Sequence, residues 1–321
     1  MNSLPLRRFG ATDMQVTPLC VGCAPLGDMP DVFAYSVSTQ DAIATILAAL
    51  DSPINFIDTA YSYGDGESER RIGLTLRQRG GVPHGYVIAS KADRNGQTGD
   101  FSGKQIRYSV ERSLKLLGLE YIPIMYLHDP EHSSFEQIMA KDGPVDVLHQ
   151  CKAEGLIGHV GLAGGPAPLM QRYVETGAFS ALITHNRYTL LNRSADGLIQ
   201  AAHERGMGIA NAAPYGSGIL AKGPAAYARY AYQAAPALML ERAHQLERIC
   251  QEHGVSLAAA ALQFSIRDPR VHSTIVGVSK PERIQQTLDL AAEKIPEELW
   301  AKLDAVGYDM HDPEAGRWSE K

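Results

Sequence analysis

One short segment of the chain reads Phe56-Ile57-Asp58-Thr59-Ala60-Tyr61-Ser62-Tyr63-Gly64. The segment begins within a short run, residues 55–58, whose centre is the apolar pair Phe56-Ile57. This run is too short for a helix and is typical of a strand buried on both faces. The run ends on a carboxylate and leads into a loop that contains two tyrosines and a glycine. Polar groups directly after a buried strand are typical of α/β proteins, whose functional loops follow the strand ends.

Seven other segments repeat this apolar pattern, which gives eight predicted strands. Amphipathic stretches separate them, and several have helix-end signals: Ser38 begins one, while Gly118 and Gly206 each follow the end of one. Eight strands alternating with helices predict an α/β fold, a closed (β/α)8 TIM barrel, which usually takes about 250 residues. The predicted strands are residues 19–22, 55–58, 86–90, 123–128, 159–162, 181–185, 208–212 and 273–277.

The other residues are expected to extend this barrel. Residues 6–17 predict an N-terminal β-hairpin ahead of the first barrel strand. We find no repeat or linker that would divide the chain, so we expect one domain spanning residues 1–321. The predicted additions near the C-terminus are a Gly/Pro/Tyr-rich loop at 215–232, helices at 236–253 and 256–267, and a last helix with a polar end at 296–321.

Composition narrows the functional class. The 321 residues are 45% apolar and 21% charged, with a formal net charge of −6. Electrostatic binding to nucleic acid is therefore not expected. Residues 1–10 lack the apolar core of a secretory signal, and no apolar stretch has the roughly 20 residues of a membrane span. Four cysteines do not make a disulfide framework. We expect a cytoplasmic protein that acts on a small molecule, and the sequence leaves its oligomeric state open.

Four polar side chains are predicted to converge at the strand ends. Asp58 ends the second strand, Lys91 follows the third and His128 ends the fourth, while Tyr63 lies five residues beyond Asp58. Neighbouring strands lie about 4.8 Å apart, which brings these groups into one cluster. A phenol is a poor acid or base at neutral pH. A nearby ammonium would lower its pKa, a carboxylate would hold the ammonium, and an imidazole would hydrogen-bond the reacting oxygen.

Taken singly, each of these residues also has an ordinary explanation. Asp58 could cap the following turn, Lys91 could be a solvated loop lysine, and His128 could order its loop beside Asp129 and Pro130. Tyr63 competes with a second tyrosine two residues earlier. The functional interpretation depends on all four residues occurring at successive strand ends.

Two other motifs do not favour a site. Cys20 and Cys23 have redox-motif spacing, but Cys20 lies within a predicted core strand and Cys23 directly follows it. Asp93-Arg94-Asn95-Gly96 resembles the start of a calcium loop, yet its glycine is two positions early and no glutamate stands at the twelfth position. The eleven histidines show no metal-ligand spacing, so we predict no metal.

The chain resembles the aldo-keto reductases over essentially its whole length. That resemblance implies a catalytic tetrad of Asp58, Tyr63, Lys91 and His128, with Tyr63 transferring the proton, and NAD or NADP as cofactor. The motifs that carry it are 56–60, Tyr63-Gly64, Ser68-Glu69, Lys91 after 87–90, Ser113-Leu114, Leu117-Gly118, Tyr121-Ile122 and 126–128.

The same resemblance implies where the dinucleotide binds. The nicotinamide would lie near the first strand end, with His185 in the place of a common carboxamide-binding glutamine. A loop after strand seven would cover the phosphates, and the adenosine would follow strand eight. The implied cofactor-binding residues are Gly22, Cys23, Asp58, His185, Tyr215, Gly216, Ser217, Gly218, Leu220, Gly277, Val278, Ser279, Arg283, Gln286 and Thr287.

The phosphate loop formally matches a dinucleotide-binding fingerprint. Residues 216–221 read G-x-G-x-x-A after a strand, but Lys222-Gly223-Pro224 follows where that fingerprint needs a helix. We therefore interpret it as a loop whose small residues let backbone amides approach a pyrophosphate.

The chain departs from the family pattern at three places, which involve four residues. Ala163-Gly164 replace a frequent Ser-Asn after strand five, and Ala212 stands near the place of a frequent nicotinamide-stacking aromatic residue. Gly277 replaces a lysine often paired with a 2′-phosphate, while Arg283 remains to stack on adenine or bind that phosphate. One lost cation weakens the case for strict NADP dependence, so both cofactors stay open, with NAD favoured.

Several strings are similar to the family's aldose 1-dehydrogenase branch, which includes L-galactose, L-fucose and D-threo-aldose dehydrogenases and the related pyridoxal 4-dehydrogenases. The resemblance implies hydride transfer between a nicotinamide and the hemiacetal carbon of an aldose or pyridoxal-like substrate, or the carbonyl of another aldehyde. Two alternatives stay open: an NADPH-dependent aldehyde or carbonyl reductase, and a nucleotide-sensing regulatory subunit of the channel β-subunit type. The strings are residues 24–27, 127–130, 186–191 and 215–220.

Overall fold

In a computed structural model that describes residues 4–315, eight parallel strands close into a barrel surrounded by helices. The predicted (β/α)8 fold is confirmed. The barrel closes where the last strand pairs with the first, Thr274 opposite Leu19 and Ile275 opposite Cys20. The strands are β1 (Leu19–Gly22), β2 (Phe56–Asp58), β3 (Val87–Ala92), β4 (Ile122–His128), β5 (Ile157–Ala163), β6 (Ala181–His185), β7 (Gly208–Ala212) and β8 (Ser273–Gly277).

Helices follow the strands in alternation and cover the outside of the barrel. Two of them, α7 and α8, lie between β7 and β8, and α10 follows the barrel as predicted. The longer helices are α1 (Thr39–Leu50), α2 (Glu67–Arg79), α3 (Gly103–Leu117), α4 (Pro144–Ala153), α5 (Ala167–Glu175), α6 (Asp196–Glu204), α7 (Ala237–Glu252), α8 (Leu257–Arg267), α9 (Glu282–Ala292) and α10 (Glu297–Ala305).

The predicted helix-end signals act as expected. The Ser38 hydroxyl accepts the backbone N–H of Asp41 at 3.1 Å and begins α1. At the other end of a helix, Gly118 follows α3 with a φ of +69°, a left-handed conformation that glycine adopts without steric cost. Local side-chain chemistry therefore fixes where these helices begin and end.

The structure corrects several predicted bounds. β3 extends beyond Ser90 because residues 89–92 pair with β4, so Lys91 lies inside the strand. The predicted loop at 215–232 contains a short helix, Ile219–Lys222, and a strand, Arg229–Tyr230, paired with Gln233–Ala234. Residues 316–321 of the predicted C-terminal segment, and residues 1–3 of the segment expected not to be a secretory signal, lie outside the described residues.

The N-terminal hairpin closes the bottom of the barrel, the end where the strands begin. Arg7–Arg8 pair with Gln15–Val16, as predicted. Between them Phe9 is fully buried and packs edge-on against Phe56 and His272, with ring centroids 5.7 and 5.8 Å apart. The hairpin therefore excludes water from this end, and the opposite end remains open.

Apolar side chains fill the interior of the barrel up to its open end. Among residues 4–315, no helix is long and apolar enough to cross a bilayer. The charged side chains of Asp58 and Lys91 stand at the top of this apolar interior, almost completely buried. The interior cluster consists of Phe9, Val16, Cys20, Phe56, Val87, Ala89, Ile124, Tyr126, Ala163, Ala181, Ile183, Ala210 and Ile275.

Candidate active site

A buried ion pair lies where β2 and β3 end. The Lys91 ammonium donates to both carboxylate oxygens of Asp58, at 2.8 and 2.7 Å, and to the backbone carbonyl of Thr59 at 2.8 Å. The lysine has 2% of its surface exposed and the aspartate 4%. Because a buried charge is costly unless it is paired, these partners hold the ammonium in one position.

Tyr63 lies beside this pair, and the structure separates it from Tyr61. The Lys91 ammonium is 4.7 Å from the centroid of the Tyr63 ring, and Tyr63 lines the cleft at the top of the barrel. Tyr61 instead packs under the Arg112 guanidinium, 3.0 Å from its ring centroid, outside that cleft. Gly64 makes this loop possible, because a Cβ there would clash with the backbone carbonyl of Gly27.

His128 completes the predicted cluster. Its ring stands edge-on to the ring of Tyr63, with centroids 6.3 Å apart, and it lines the same cleft. Its Nδ1 atom is 2.6 Å from the carboxylate of Asp93, a contact that the sequence analysis did not anticipate. The structure therefore brings all four predicted residues together and adds a fifth charged group behind the histidine.

Burial and charge oppose each other at Tyr63 and Lys91. Burial raises the pKa of the Tyr63 phenol, although the Lys91 charge acts to lower it. The expected influence of the ammonium is present, but burial outweighs it and the resting group is the phenol. Burial also opposes the charge of Lys91, yet Asp58 and Tyr63 raise the pKa of the ammonium above its ordinary value. Burial raises the pKa of Asp58, and the ammonium limits that rise.

At His128 the neighbouring charges outweigh burial, which is the reverse of the balance at Tyr63. Burial disfavours its charge, but Asp129 and Asp93 outweigh burial and raise the pKa of His128 to about 9. Burial likewise opposes ionisation of Asp93, yet His128 holds the pKa of that carboxyl below its ordinary value. At neutral pH the pair is therefore an imidazolium beside a carboxylate.

The cleft above these groups is large enough for a dinucleotide. Its volume is about 1520 Å³, larger than the 300–1,000 Å³ of ordinary small-molecule pockets. All four tetrad residues line it, and so do most of the other residues predicted to bind the cofactor. Those others are Gly22, His185, Tyr215, Ser217, Gly218, Gly277, Ser279, Arg283, Gln286 and Thr287.

Four predicted cofactor residues do not line the cleft: Cys23, Gly216, Leu220 and Val278. The side chains of Cys23, Leu220 and Val278 are buried in the core. The backbone N–H groups of Gly216, Gly218 and Leu220 donate to carbonyls within their own loop, so these three amides already have partners. Tight turns satisfy these three amides within the loop, and phosphate binding by the loop stays a prediction.

The loop after β7 nevertheless has a backbone that a ligand can approach closely. Ala213, Gly216, Ser217 and Gly218 all have positive φ, and a short helix follows from Ile219 where none was predicted. The Ser217 hydroxyl donates to Asn186, which anchors the loop above β6. A left-handed backbone with small side chains leaves room for a phosphate at this rim.

The two ends of the cleft differ in chemistry. Lys280 and Arg283, together with Tyr35, provide cations and an aromatic ring at one end, which suits an adenosine with or without a 2′-phosphate. At the other end, His185 places its Nε2 atom 2.8 Å from the Glu314 carboxylate, which also pairs with the fully buried Arg187. The residues present therefore fit a nicotinamide dinucleotide.

Asp93 and Glu314 were not predicted as site residues, for different reasons. Asp93 is two residues after Lys91 on an extended segment, so both side chains point to the same side. That spacing is a usable signal, although the same residues also resemble the start of a calcium loop. Glu314 reaches His185 through tertiary folding of the C-terminal segment, for which no local pattern exists.

Comparisons with known proteins agree with this geometry. The model of the aldo/keto reductase family matches residues 18–307. A D-threo-aldose 1-dehydrogenase of Pseudomonas sp. is 31% identical over 91% of this chain and 94% of its own length. A pyridoxal 4-dehydrogenase of Microbacterium luteolum is 30% identical over 94% of this chain and 97% of its own. A holo-form aldo-keto reductase structure from Bacillus halodurans superposes with a TM-score of 0.79, covering 98% of this chain and 99% of that one at 21% identity.

Proposed function

Because this chain belongs to the aldo/keto reductase family and is an NAD(P)-dependent oxidoreductase, we propose that it oxidises the cyclic hemiacetal of an aldose or pyridoxal-like molecule. The observation that carries the proposal is the buried Lys91–Asp58 pair beside Tyr63 at the floor of a dinucleotide-sized cleft. The activities named for the two relatives supply the substrate class. Both act on molecules that form a cyclic hemiacetal, whose oxidation gives a lactone.

In this proposal Tyr63 carries the proton. Its phenolic oxygen, after losing its own proton to solvent, accepts the proton of the hemiacetal hydroxyl. A bound nicotinamide supplies the acceptor for the hydride that leaves the same carbon. One C–H and one O–H bond break, the C=O bond of the lactone forms, and one proton is released overall.

Lys91 and Asp58 support that proton transfer. The ammonium stabilises negative charge on the Tyr63 oxygen, and the carboxylate fixes the ammonium at 2.7–2.8 Å. His128 faces the cleft from the next strand and donates a hydrogen bond to the reacting oxygen. The four residues come from the ends of three neighbouring strands, Asp58 and Tyr63 from the same one, so rigid barrel geometry sets their spacing.

The cofactor would lie along the cleft from His185 to Arg283. Gly22 and His185 would border the nicotinamide, and Ser217 and Gly218 would border the phosphates. Both cations at the adenosine end, Lys280 and Arg283, are available to a 2′-phosphate, so the assay must compare NAD with NADP.

One observation favours a second candidate, an NADPH-dependent aldehyde or carbonyl reductase. Burial keeps the Tyr63 phenol protonated, which is the state that donates to a carbonyl oxygen. The same residues then act in the reverse direction. A regulatory subunit that only senses the nucleotide would not need the tetrad contacts, which are all present here.

One assay separates these three functions. Absorbance of reduced nicotinamide is followed with NAD or NADP over a panel of aldoses, pyridoxal and simple aldehydes. Oxidation of aldoses or pyridoxal supports the proposal, and reduction of aldehydes alone supports the second candidate. Cofactor binding without turnover on any substrate supports the sensing role and contradicts the proposal.

We also propose that residues 1–321 act as one domain in the cytoplasm. The C-terminal segment returns to the barrel, where the Asn192 amide donates to the His311 carbonyl at 2.8 Å, and this supports a single unit. All four cysteines are free and buried, which suits a reducing compartment. Limited proteolysis tests whether the chain is one domain, and fractionation of the source cells tests whether it is cytoplasmic.

A further inference from the structure

The carboxylate of Asp93 lies directly behind His128. Its Oδ1 atom is 2.6 Å from Nδ1 of the histidine, a short contact typical of a charge-assisted hydrogen bond. The Asp93 side chain is 9% exposed and does not line the cleft. It therefore reaches a substrate only through the imidazole.

Asp93 is itself held from several directions. Its second oxygen accepts the backbone N–H of Ser62 at 3.1 Å, one residue before Tyr63. Its backbone N–H donates to the Ser109 hydroxyl at 2.9 Å, and its carbonyl accepts from the Gln105 amide at 3.1 Å. Both last partners belong to α3. A carboxylate fixed in this way fixes the ring that it binds.

We propose that Asp93 is a positioning residue that keeps one ring nitrogen of His128 turned away from the cleft and the other, Nε2, presented with its proton to the reacting oxygen. The proposal rests on the function proposed above, because it takes His128 as the group that contacts that oxygen. His128 keeps both of its protons through the reaction, and Tyr63 remains the group that transfers one.

The active site then contains two parallel carboxylate–cation pairs. Asp58 holds the Lys91 ammonium beneath Tyr63, and Asp93 holds the His128 imidazolium beside it. Each cation stabilises negative charge on an oxygen, the phenolic oxygen in the first pair and the substrate oxygen in the second. A neutral imidazole free to adopt either tautomer would present a donor to the cleft only part of the time.

Other groups around His128 also influence the charge of its imidazole ring. The nearest is Asp129, whose carboxylate is 3.7 Å from Nε2, beyond hydrogen-bond distance. Lys91 opposes the positive charge of the imidazole, and Asp58 favours it. Glu131 also interacts electrostatically with it, and the Tyr63 ring stands edge-on to it. None of these groups forms a hydrogen bond to the ring as a charged partner, whereas Asp93 does.

The test is an Asp93→Asn substitution, which removes the charge and preserves the shape. NMR titration of the His128 ring, with its signals assigned by their loss in His128→Asn, should show its pKa falling by about one to three units. The alkaline limb of kcat/KM for aldehyde reduction should move to lower pH by the same amount, with KM for the cofactor unchanged. Asp13→Asn is the matched control, because Asp13 pairs with His159 at 3.1 Å far from the cleft.

Three outcomes would overturn the proposal. The first is a His128 titration near or below 6.5 in the unmodified enzyme, which can be measured even if the variant does not fold. The second is an unchanged titration in Asp93→Asn. The third is an activity loss equal at every pH with a lower melting temperature, which marks a purely structural role. If the unmodified enzyme turns over no substrate, the proposed function fails, and the titration still tests the His128–Asp93 contact by itself.

Discussion

Two histidines at opposite ends of the same barrel illustrate how differently those ends are built. At the open end, carboxylates raise the pKa of His128 to about 9. At the closed end, burial together with the charges of His203 and Arg7 lowers the pKa of His272 to about 4. His272 lies against Phe9 and accepts the Ile209 N–H, so it needs to stay neutral.

The contrast shows that burial alone does not decide the charge of a group in this protein. His128 and Lys91 are both strongly desolvated, yet each remains a cation because of neighbouring carboxylates, Asp129 and Asp93 at His128 and Asp58 at Lys91. The closed end has apolar rings in the equivalent place and favours neutral groups. Charge is thus concentrated at the strand ends where chemistry is proposed, and packing at the other end supplies stability.

The largest expected effect is at the open end. Tyr63→Phe removes the proton-transferring oxygen and should lower kcat by about 10²–10⁴-fold, with cofactor binding and melting temperature near those of the unmodified enzyme. Turnover and cofactor fluorescence titration measure this. Tyr61→Phe is the matched control, since Tyr61 lies outside the cleft. Equal losses in both variants would mean that the two tyrosines are not distinguished as described.

A core truncation at the closed end should affect stability and leave turnover unchanged. Phe9→Ala leaves a cavity against Phe56 and should reduce the free energy of unfolding by about 3–5 kcal/mol. The value of kcat/KM at 25 °C should stay within about twofold. Leu6→Ala, on the exposed part of the same hairpin, should change stability by less than about 0.5 kcal/mol. A large fall in kcat/KM for Phe9→Ala would show that the two ends are coupled.

The two histidines should affect stability in opposite pH windows. The pKa of His272 is lower in the folded protein than in the unfolded chain, so its contribution is complete above about pH 6.5 and is lost as pH falls toward 4. The pKa of His128 is raised, so its contribution is complete below about pH 6.5 and is lost as pH rises toward 9.

Denaturant unfolding across pH 4–9 measures both windows. His272→Asn should flatten the acidic side, by up to about 2 kcal/mol after allowance for the partial exposure of this ring. The exposed His84→Asn serves as the control and should leave the profile as it was. Flattening on the alkaline side in His272→Asn would contradict the assignment of the two windows.

Sequence patterns predicted the barrel well because its strands are nearly continuous apolar runs separated by capped helices. They also predicted that Asp58, Lys91 and His128 would lie close together, since Asp58 and His128 end strands and Lys91 lies within one residue of an end. They failed where one part of the chain is fixed by a distant one. Whether Tyr63 or Tyr61 faces the cleft depends on Arg112, and the contact between Glu314 and His185 depends on the path of the C-terminal segment.

The phosphate loop shows a second limit. The glycines at 216 and 218 predicted a loop whose backbone a ligand can approach closely, and both have positive φ. Small differences in the backbone dihedral angles decide which amides form hydrogen bonds within the loop. Amino-acid composition does not specify those angles. The residues that line the cleft from this loop could therefore be predicted as a group but not individually.

Transfer of a labelled hydride tests the central claim most directly. An accepted aldose carrying deuterium at its anomeric carbon is incubated with the enzyme and oxidised cofactor, and the nicotinamide and sugar products are examined by NMR. We predict deuterium on the reduced nicotinamide ring in equal amount to lactone formed, and almost none with Tyr63→Phe over the same time. Lactone without deuterium on the nicotinamide, or undiminished transfer by Tyr63→Phe, would contradict the account.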